Sequence, residues 1–252
     1  MSCTVVVGLG EVGAPLLELV RRSGRSAVGV DIAGEPWRGR DTVDVMHICI
    51  PFEIPDFVGE VAHYIDHLKP QLTVVNSTVG IGTTRAIHDL TGARIGHSPV
   101  RGKHARMLEE LGSYVKFVGA LGEAADREIA EHFESLGLRT QILSSPEATE
   151  LAKLTETTYF GLLIAWAQEL ERYCDRLELD YSEVAGFYQE IQFLPRVSYF
   201  PGAIGGHCVM PNIEILRELE DSPLLNAIRE SNARKLARDS HPRPAEVAAP
   251  SA

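Results

Sequence analysis

Thr4-Val5-Val6-Val7-Gly8-Leu9-Gly10-Glu11-Val12-Gly13, continued by Leu16, Leu17, Leu19 and Val20, decides the reading of this chain. A run of β-branched residues without polar alternation reads as a strand buried on both faces. The glycines then form a turn, and the apolar residues beyond them recur at helical spacing. In that order Gly8 permits the tight turn, Gly10 lets the backbone approach a phosphate, and Gly13 allows the helix to pack closely on the strand. The amino end of the helix offers unpaired N–H groups and a positive dipole end to an anion. Asp31 closes the next strand, Ala27 to Val30, 23 residues beyond Gly8. A carboxylate there accepts hydrogen bonds from ribose hydroxyls and repels a 2′-phosphate, so the spacing predicts NAD rather than NADP as cofactor. Glu11, beside the expected phosphates, is expected to point outward. Val12, Ile32, Pro51, Ser77 and Thr78 complete the expected cofactor contacts.

Outward from this turn, strand and helix signals alternate. Val45 to Ile50 and Leu72 to Val75 read as strands, and Arg94 to Gly96, Val115 to Val118 and Thr140 to Leu143 as weaker ones. Alternation of this kind predicts an α/β fold, a doubly wound parallel sheet of Rossmann type over residues 1–144. At Ser144-Ser145-Pro146-Glu147 the pattern changes. Apolar residues then keep helical spacing from Leu151 to Leu179, a helix of roughly 45 Å at 1.5 Å per residue. Shorter helices are expected at 181–192, 212–220 and 224–238, with a loop over 195–210. Residues 145–238 are therefore expected to form an all-helical domain on a long central helix. A Pro-rich tail from 239 is expected to be disordered.

The chain has 252 residues, with 24 Lys and Arg against 35 Asp and Glu, a formal charge of −11. Such a surface offers no broad cationic face to nucleic acid. The longest nearly apolar run, Tyr159 to Ala167, is too short to cross a bilayer. Four scattered cysteines do not form a disulfide framework, and the start lacks a signal-peptide pattern; a cytoplasmic setting is expected. Among His97, His104, His207 and Cys208 none of the spacing is a metal signature, so no metal site is expected.

Further motifs carry a family resemblance. Asn76-Ser77-Thr78-Val79-Gly80-Ile81-Gly82-Thr83-Thr84 resembles the Ser-Thr-Val-x-x-Gly-Thr loop of nucleotide-sugar dehydrogenases of the UDP-glucose/GDP-mannose type. Ser98-Pro99 resembles their Ser-Pro-Glu segment, and Glu150-Leu151-Ala152-Lys153 their Glu-x-x-Lys helix start. Pro201-Gly202-Ala203-Ile204-Gly205-Gly206-His207-Cys208 resembles their Gly-x-Gly-x-Gly-Gly-x-Cys loop. The resemblance covers about residues 3 to 238.

It implies an enzyme that oxidises a primary alcohol of a sugar in two NAD-dependent steps, paired as a homodimer through the long helix. By motif, Cys208 is the expected nucleophile and Lys153 the stabiliser of developing oxyanion charge. Thr78 is expected to hold a water or the substrate. Arg101, His104, Thr157, Gly205, Gly206, His207 and Asn212 are expected around a sugar or small anionic substrate, at the junction of the two domains.

Departures accompany the matches. Val100 stands where the family has a glutamate that assists hydrolysis, and His104 where it has a second carboxylate. Thr157 replaces an asparagine and Asn212 an aspartate. The family's nucleotide-holding C-terminal segment has no counterpart in these residues. Three functions therefore stand: an NAD-dependent dehydrogenase, a non-catalytic NAD-binding sensor, and one subunit of a complex whose partner supplies the substrate domain.

Overall fold

In the computed structural model, residues 2–31, 42–102, 106–190, 201–206 and 208–240 are described. The chain separates into two compact units that divide between Lys153 and Leu154.

The first unit is built on seven strands: β1 (Ser2–Val7), β2 (Ala27–Val30), β3 (Thr42–Ile48), β4 (Leu72–Val75), β5 (Ile95–His97), β6 (Lys116–Leu121) and β7 (Thr140–Ile142). Their order in the sheet is β2-β1-β3-β4-β5-β6-β7. Helices α1 (Gly13–Arg22), α2 (Phe57–Leu68), α3 (Thr83–Thr91), α4 (Met107–Ser113) and α5 (Ala125–Ser135) lie between them. The doubly wound reading holds, with one correction: β6 runs antiparallel to β5, pairing Ile95 with Leu121 and His97 with Gly119, while β7 is parallel to β6. β3 also begins three residues earlier than its apolar run, because the polar Thr42 and Asp44 belong to the strand.

The apolar strands explain the two-sided sheet. Val5, Val7, Met46, Ile48 and Val75 pack with Val61, Ile65 and Ile87 of α2 and α3. Val45, Val74 and Val118 pack with Ile129 and Phe133 of α5. Each such side chain, fully buried, contributes about 1.5–3 kcal/mol of transfer free energy. From β1 the chain passes through α1 to β2 on one side, then returns across β1 to β3 on the other. Successive connections therefore diverge at the carboxyl ends of β1 and β3, the crevice where open α/β sheets bind ligands.

The second unit takes up helix α6 (Pro146–Leu177) from Leu154 onward, with α7 (Tyr181–Gly186), a 3₁₀ turn (Phe187–Glu190), α8 (Val209–Leu219) and α9 (Pro223–Asp239). The long helix is 32 residues and ends where Glu178 adopts a left-handed conformation (φ 57°). Its core includes Leu154, Ile213 and Ile228, each at most 1% exposed. A Cβ at Gly161 would lie 2.5 Å from Val209 Cγ1, so only glycine lets α6 approach α8 this closely. The expected loop over 195–210 gives way to helix sooner: α8 starts at Val209, with Pro211 in its first turn, where a missing N–H costs nothing. The expected helix 181–192 is a short α-helix with a 3₁₀ extension to Glu190. The expected tail lies, beyond Ser240, outside the described residues.

Candidate functional site

The β1–α1 turn has the geometry of a closely approached backbone. Gly8 has φ +86°, and a Cβ there would lie 2.8 Å from the Cys49 carbonyl group. A Cβ on Gly13 would lie 1.7 Å from Gly8 O, an overlap no side chain survives. Nothing lies within 4 Å of the corresponding point on Gly10, whose outer side is open. The α1 amino end has no side-chain cap and no acidic residue in its first turn. Those N–H groups and the dipole therefore favour an anion from outside. Glu11 and Pro51 are exposed, and so is Asp31 at the carboxyl end of β2. Burial raises the Tyr64 pKa, and the charges of Glu60 and Asp31 raise it further. Val12 is half-buried. Ile32 lies outside the described residues.

Ser77 turns its hydroxyl inward, donating to Ile50 O at 2.6 Å, and thereby ties the ends of β3 and β4 together. Thr78, next to it, is half-buried. Behind this loop lies His97, fully buried, with Nε2 3.1 Å from Ser77 O and Nδ1 2.7 Å from Thr149 Oγ1. A carbonyl can only accept, which assigns the ring hydrogen to Nε2 and leaves Nδ1 to accept from the threonine. Burial holds the His97 pKa down at about 3 against the Ser77 bond, and the Lys116 and Lys153 charges lower it further.

Glu150 is the other buried group here, 0% exposed. Its carboxylate accepts from Gly82 N at 2.7 Å, Thr84 N at 2.9 Å and Thr84 Oγ1 at 2.7 Å. It thus caps α3, whose own N-cap residue Gly82 has no side chain to do so. Burial raises the Glu150 pKa and these bonds oppose the rise. Lys153, half-buried, follows one turn later on α6.

Lys116 is also buried, donating from Nζ to Ser98 O at 2.7 Å and Pro99 O at 3.1 Å. Burial brings its pKa to about 7, and burial pushes the Cys49 thiol up to about 12. Val100, 6% exposed, packs with Leu16, Met107 and Leu111. The Arg101 guanidinium lies 5.4 Å from the Tyr114 ring and 5.6 Å from the Phe117 ring. His104 lies outside the described residues.

In the second unit, Cys208 is exposed and occupies the N-cap position of α8. The segment before it is pinned: Asn232 accepts from Ile204 N at 2.7 Å and donates to Ile204 O at 3.0 Å, and Gln168 donates to Gly202 O at 2.8 Å. Gly205 and Gly206 are exposed, Gly206 with φ +76°, and His207 lies outside the described residues. Asn212 donates to Thr157 Oγ1 at 2.7 Å, and Thr157 donates to Leu154 O at 3.0 Å. Two of the four residues that depart from the family pattern thus meet as a neutral hydrogen-bonded pair.

Sequence reasoning missed Glu150 as a cap, the His97–Thr149 contact, Lys116, and the Asn232 and Gln168 clasp. Asn232 and Gln168 interrupt apolar helical spacing, a polar residue on a buried stripe, which is a usable signal.

Fold and sites together define a Rossmann-type α/β unit followed by a helical unit. Residues 147–234 match the model of the UDP-glucose/GDP-mannose dehydrogenase family, central domain. The chain is 23% identical to the UDP-N-acetyl-D-mannosamine dehydrogenase of Methanococcus vannielii, across 90% of this chain and 64% of that protein. The chain thus spans somewhat under two thirds of that relative's length. In fold it is similar to the solved UDP-D-ManNAc dehydrogenase of Pyrococcus horikoshii (TM-score 0.80, 20% identity, covering 93% of this chain and 69% of that one). It is also similar to the 3-hydroxyisobutyrate dehydrogenase of Mycobacterium tuberculosis (TM-score 0.71, 16% identity, 94% of each chain). Among the described residues, no helix is long and apolar enough to cross a membrane.

Proposed function

We propose that the chain is an NAD-dependent oxidoreductase of the nucleotide-sugar dehydrogenase type, acting on an alcohol of a sugar or small anionic substrate. The observation that carries this reading is the uncapped amino end of α1 behind an open Gly10, with Asp31 just beyond the carboxyl end of β2. These residues fit the cofactor: Gly8, Gly10 and Gly13 shape the backbone for a diphosphate, and Asp31 receives the ribose. Bound there, the nicotinamide supplies a hydride acceptor. Lys153 stabilises negative charge on the alcohol oxygen as the carbon–hydrogen bond breaks. Thr78 orients a water or the substrate. Cys208 adds to the resulting aldehyde as a thiohemiacetal, whose oxidation gives a thioester that water cleaves to acid and free thiol.

Arg101, His104, Thr157, Gly205, Gly206, His207 and Asn212 contact the substrate. UDP-N-acetyl-D-mannosamine, after which the Methanococcus vannielii relative is named, is the first substrate to try. Turnover is expected to yield two NADH per substrate, falling to one or none in Cys208→Ala; full stoichiometry in that variant would remove the thiol from the reaction. A second reading, NAD binding without full oxidation, is favoured by Val100, because a buried valine leaves no carboxylate after Ser98-Pro99 to activate water. Homodimer formation is supported by Tyr159, Phe160, Trp166 and Tyr173 of α6, all 42–50% exposed.

A further inference from the structure

Two adjacent residues of α6 hold the loop 77–84 at both of its ends. Thr149 Oγ1 meets His97 Nδ1 at 2.7 Å, and the same ring reaches Ser77 O at 3.1 Å. Glu150 takes the other end, through Gly82 N, Thr84 N and Thr84 Oγ1. A third contact, Arg85 Nε to Glu147 Oε1 at 2.5 Å, fastens α3 to the preceding turn of the helix. Gly119 lets β6 approach the start of α6 so closely that a Cβ would lie 2.1 Å from Ser145 O. The first turns of α6 are therefore fixed in both rotation and translation against the loop that carries Thr78. Lys153 lies three residues beyond Glu150 and on its face of the helix.

A buried carboxylate is a costly way to cap a helix. Placing it in a protein interior requires every lone pair to be answered, and a local Ser or Asp at position 82 would cap α3 more cheaply. What the distant carboxylate adds is a rigid link between α3 and α6. We propose that Glu150 is a positioning residue, which together with His97 and Thr149 sets Lys153 in register with the Thr78 loop. This deepens the dehydrogenase reading and rests on it, since the register matters to turnover only if Lys153 and Thr78 act on substrate.

The test is a double-mutant cycle in the full chain, with NAD and UDP-N-acetyl-D-mannosamine as probes. Glu150→Gln keeps the bonds from Thr84 but sets an NH2 against the Gly82 N–H. It is expected to lower kcat about 100-fold, the scale of loss for a misplaced catalytic group. NAD affinity should change little, while the unpaired Gly82 N–H should lower Tm by a few degrees. On a Lys153→Met background the same substitution is expected to cost nothing further, because a residue acting through Lys153 has no second route. Unchanged kcat in Glu150→Gln, or losses that multiply in the double variant, would overturn the proposal.

Thr84→Val, an isosteric loss of one of the three bonds, serves if Glu150→Gln does not fold, with a smaller kcat loss abolished in the same background. Amide hydrogen exchange decides the brace apart from activity. The Gly82 and Thr84 amides should be protected in the native chain and exchange faster in the variants. Fast exchange in the native chain would refute the brace, whereas absent turnover with protected amides would refute only the dehydrogenase reading.

Discussion

At the scale of single residues, two sorts of position carry the account: a glycine with no room beside it, and histidines with no water around them. Gly13→Ala is expected to destabilise the chain by about 3 kcal/mol, the upper range for overpacking, since its Cβ would overlap Gly8 O. Chemical denaturation checks this; a loss below about 0.5 kcal/mol would show that the turn relaxes freely. His47, His97 and His132 are all buried. His47 and His132 face each other, Nε2 to Nε2 at 2.9 Å, and Asn76 Nδ2 lies 3.1 Å from His47 Nδ1. Burial lowers the His47 pKa well below normal, helped by His132 and Lys116, and holds His132 at about 4, with Arg25 adding to the effect. His97 sits at about 3. Between pH 6.5 and these values the unfolded chain binds more protons than the folded one, so stability is lost as pH falls through that window. The slope is at most about 1.4 kcal/mol per pH unit for each histidine. Denaturant midpoints at pH 7 and pH 5 should differ accordingly, and His132→Phe should flatten the difference.

Elements show where the sequence was legible. β1, the glycine turn and α1 were readable because each rule there is local: β-branched residues, three glycines, then apolar residues at helical spacing. The direction of β6 was not readable, because a short apolar strand looks the same whichever way it runs and only its connections decide. The Glu150 cap was equally hidden. Its carboxylate and the α3 amides are more than sixty residues apart in sequence, and a Glu at a helix start reads first as a favourable dipole charge. Cys208 was legible by resemblance, but its place at the N-cap of α8 was not, since the helix was expected from 212 and instead starts at Val209. Packing of α6 on α8 gives a prediction at this scale. Gly161→Ala should cost roughly 1–3 kcal/mol by forcing Val209 away, and Val209→Ala in the same chain should recover most of it. Independent, additive losses would mean that the two helices do not touch there.

For the whole molecule, the questions are assembly and cofactor. The exposed aromatic residues of α6 are expected to pair two copies, so light scattering at micromolar concentration should give the dimer mass and Trp166→Glu the monomer mass. A monomeric native chain would leave that surface without the proposed role. The central claim is the diphosphate site at the head of α1, and calorimetric titration with NAD and NADP tests it most directly. Saturable NAD binding is expected, at least about tenfold tighter than NADP, a difference of 1.4 kcal/mol that Asp31→Ala should narrow or reverse. A chain that takes up neither dinucleotide would contradict the account at its root.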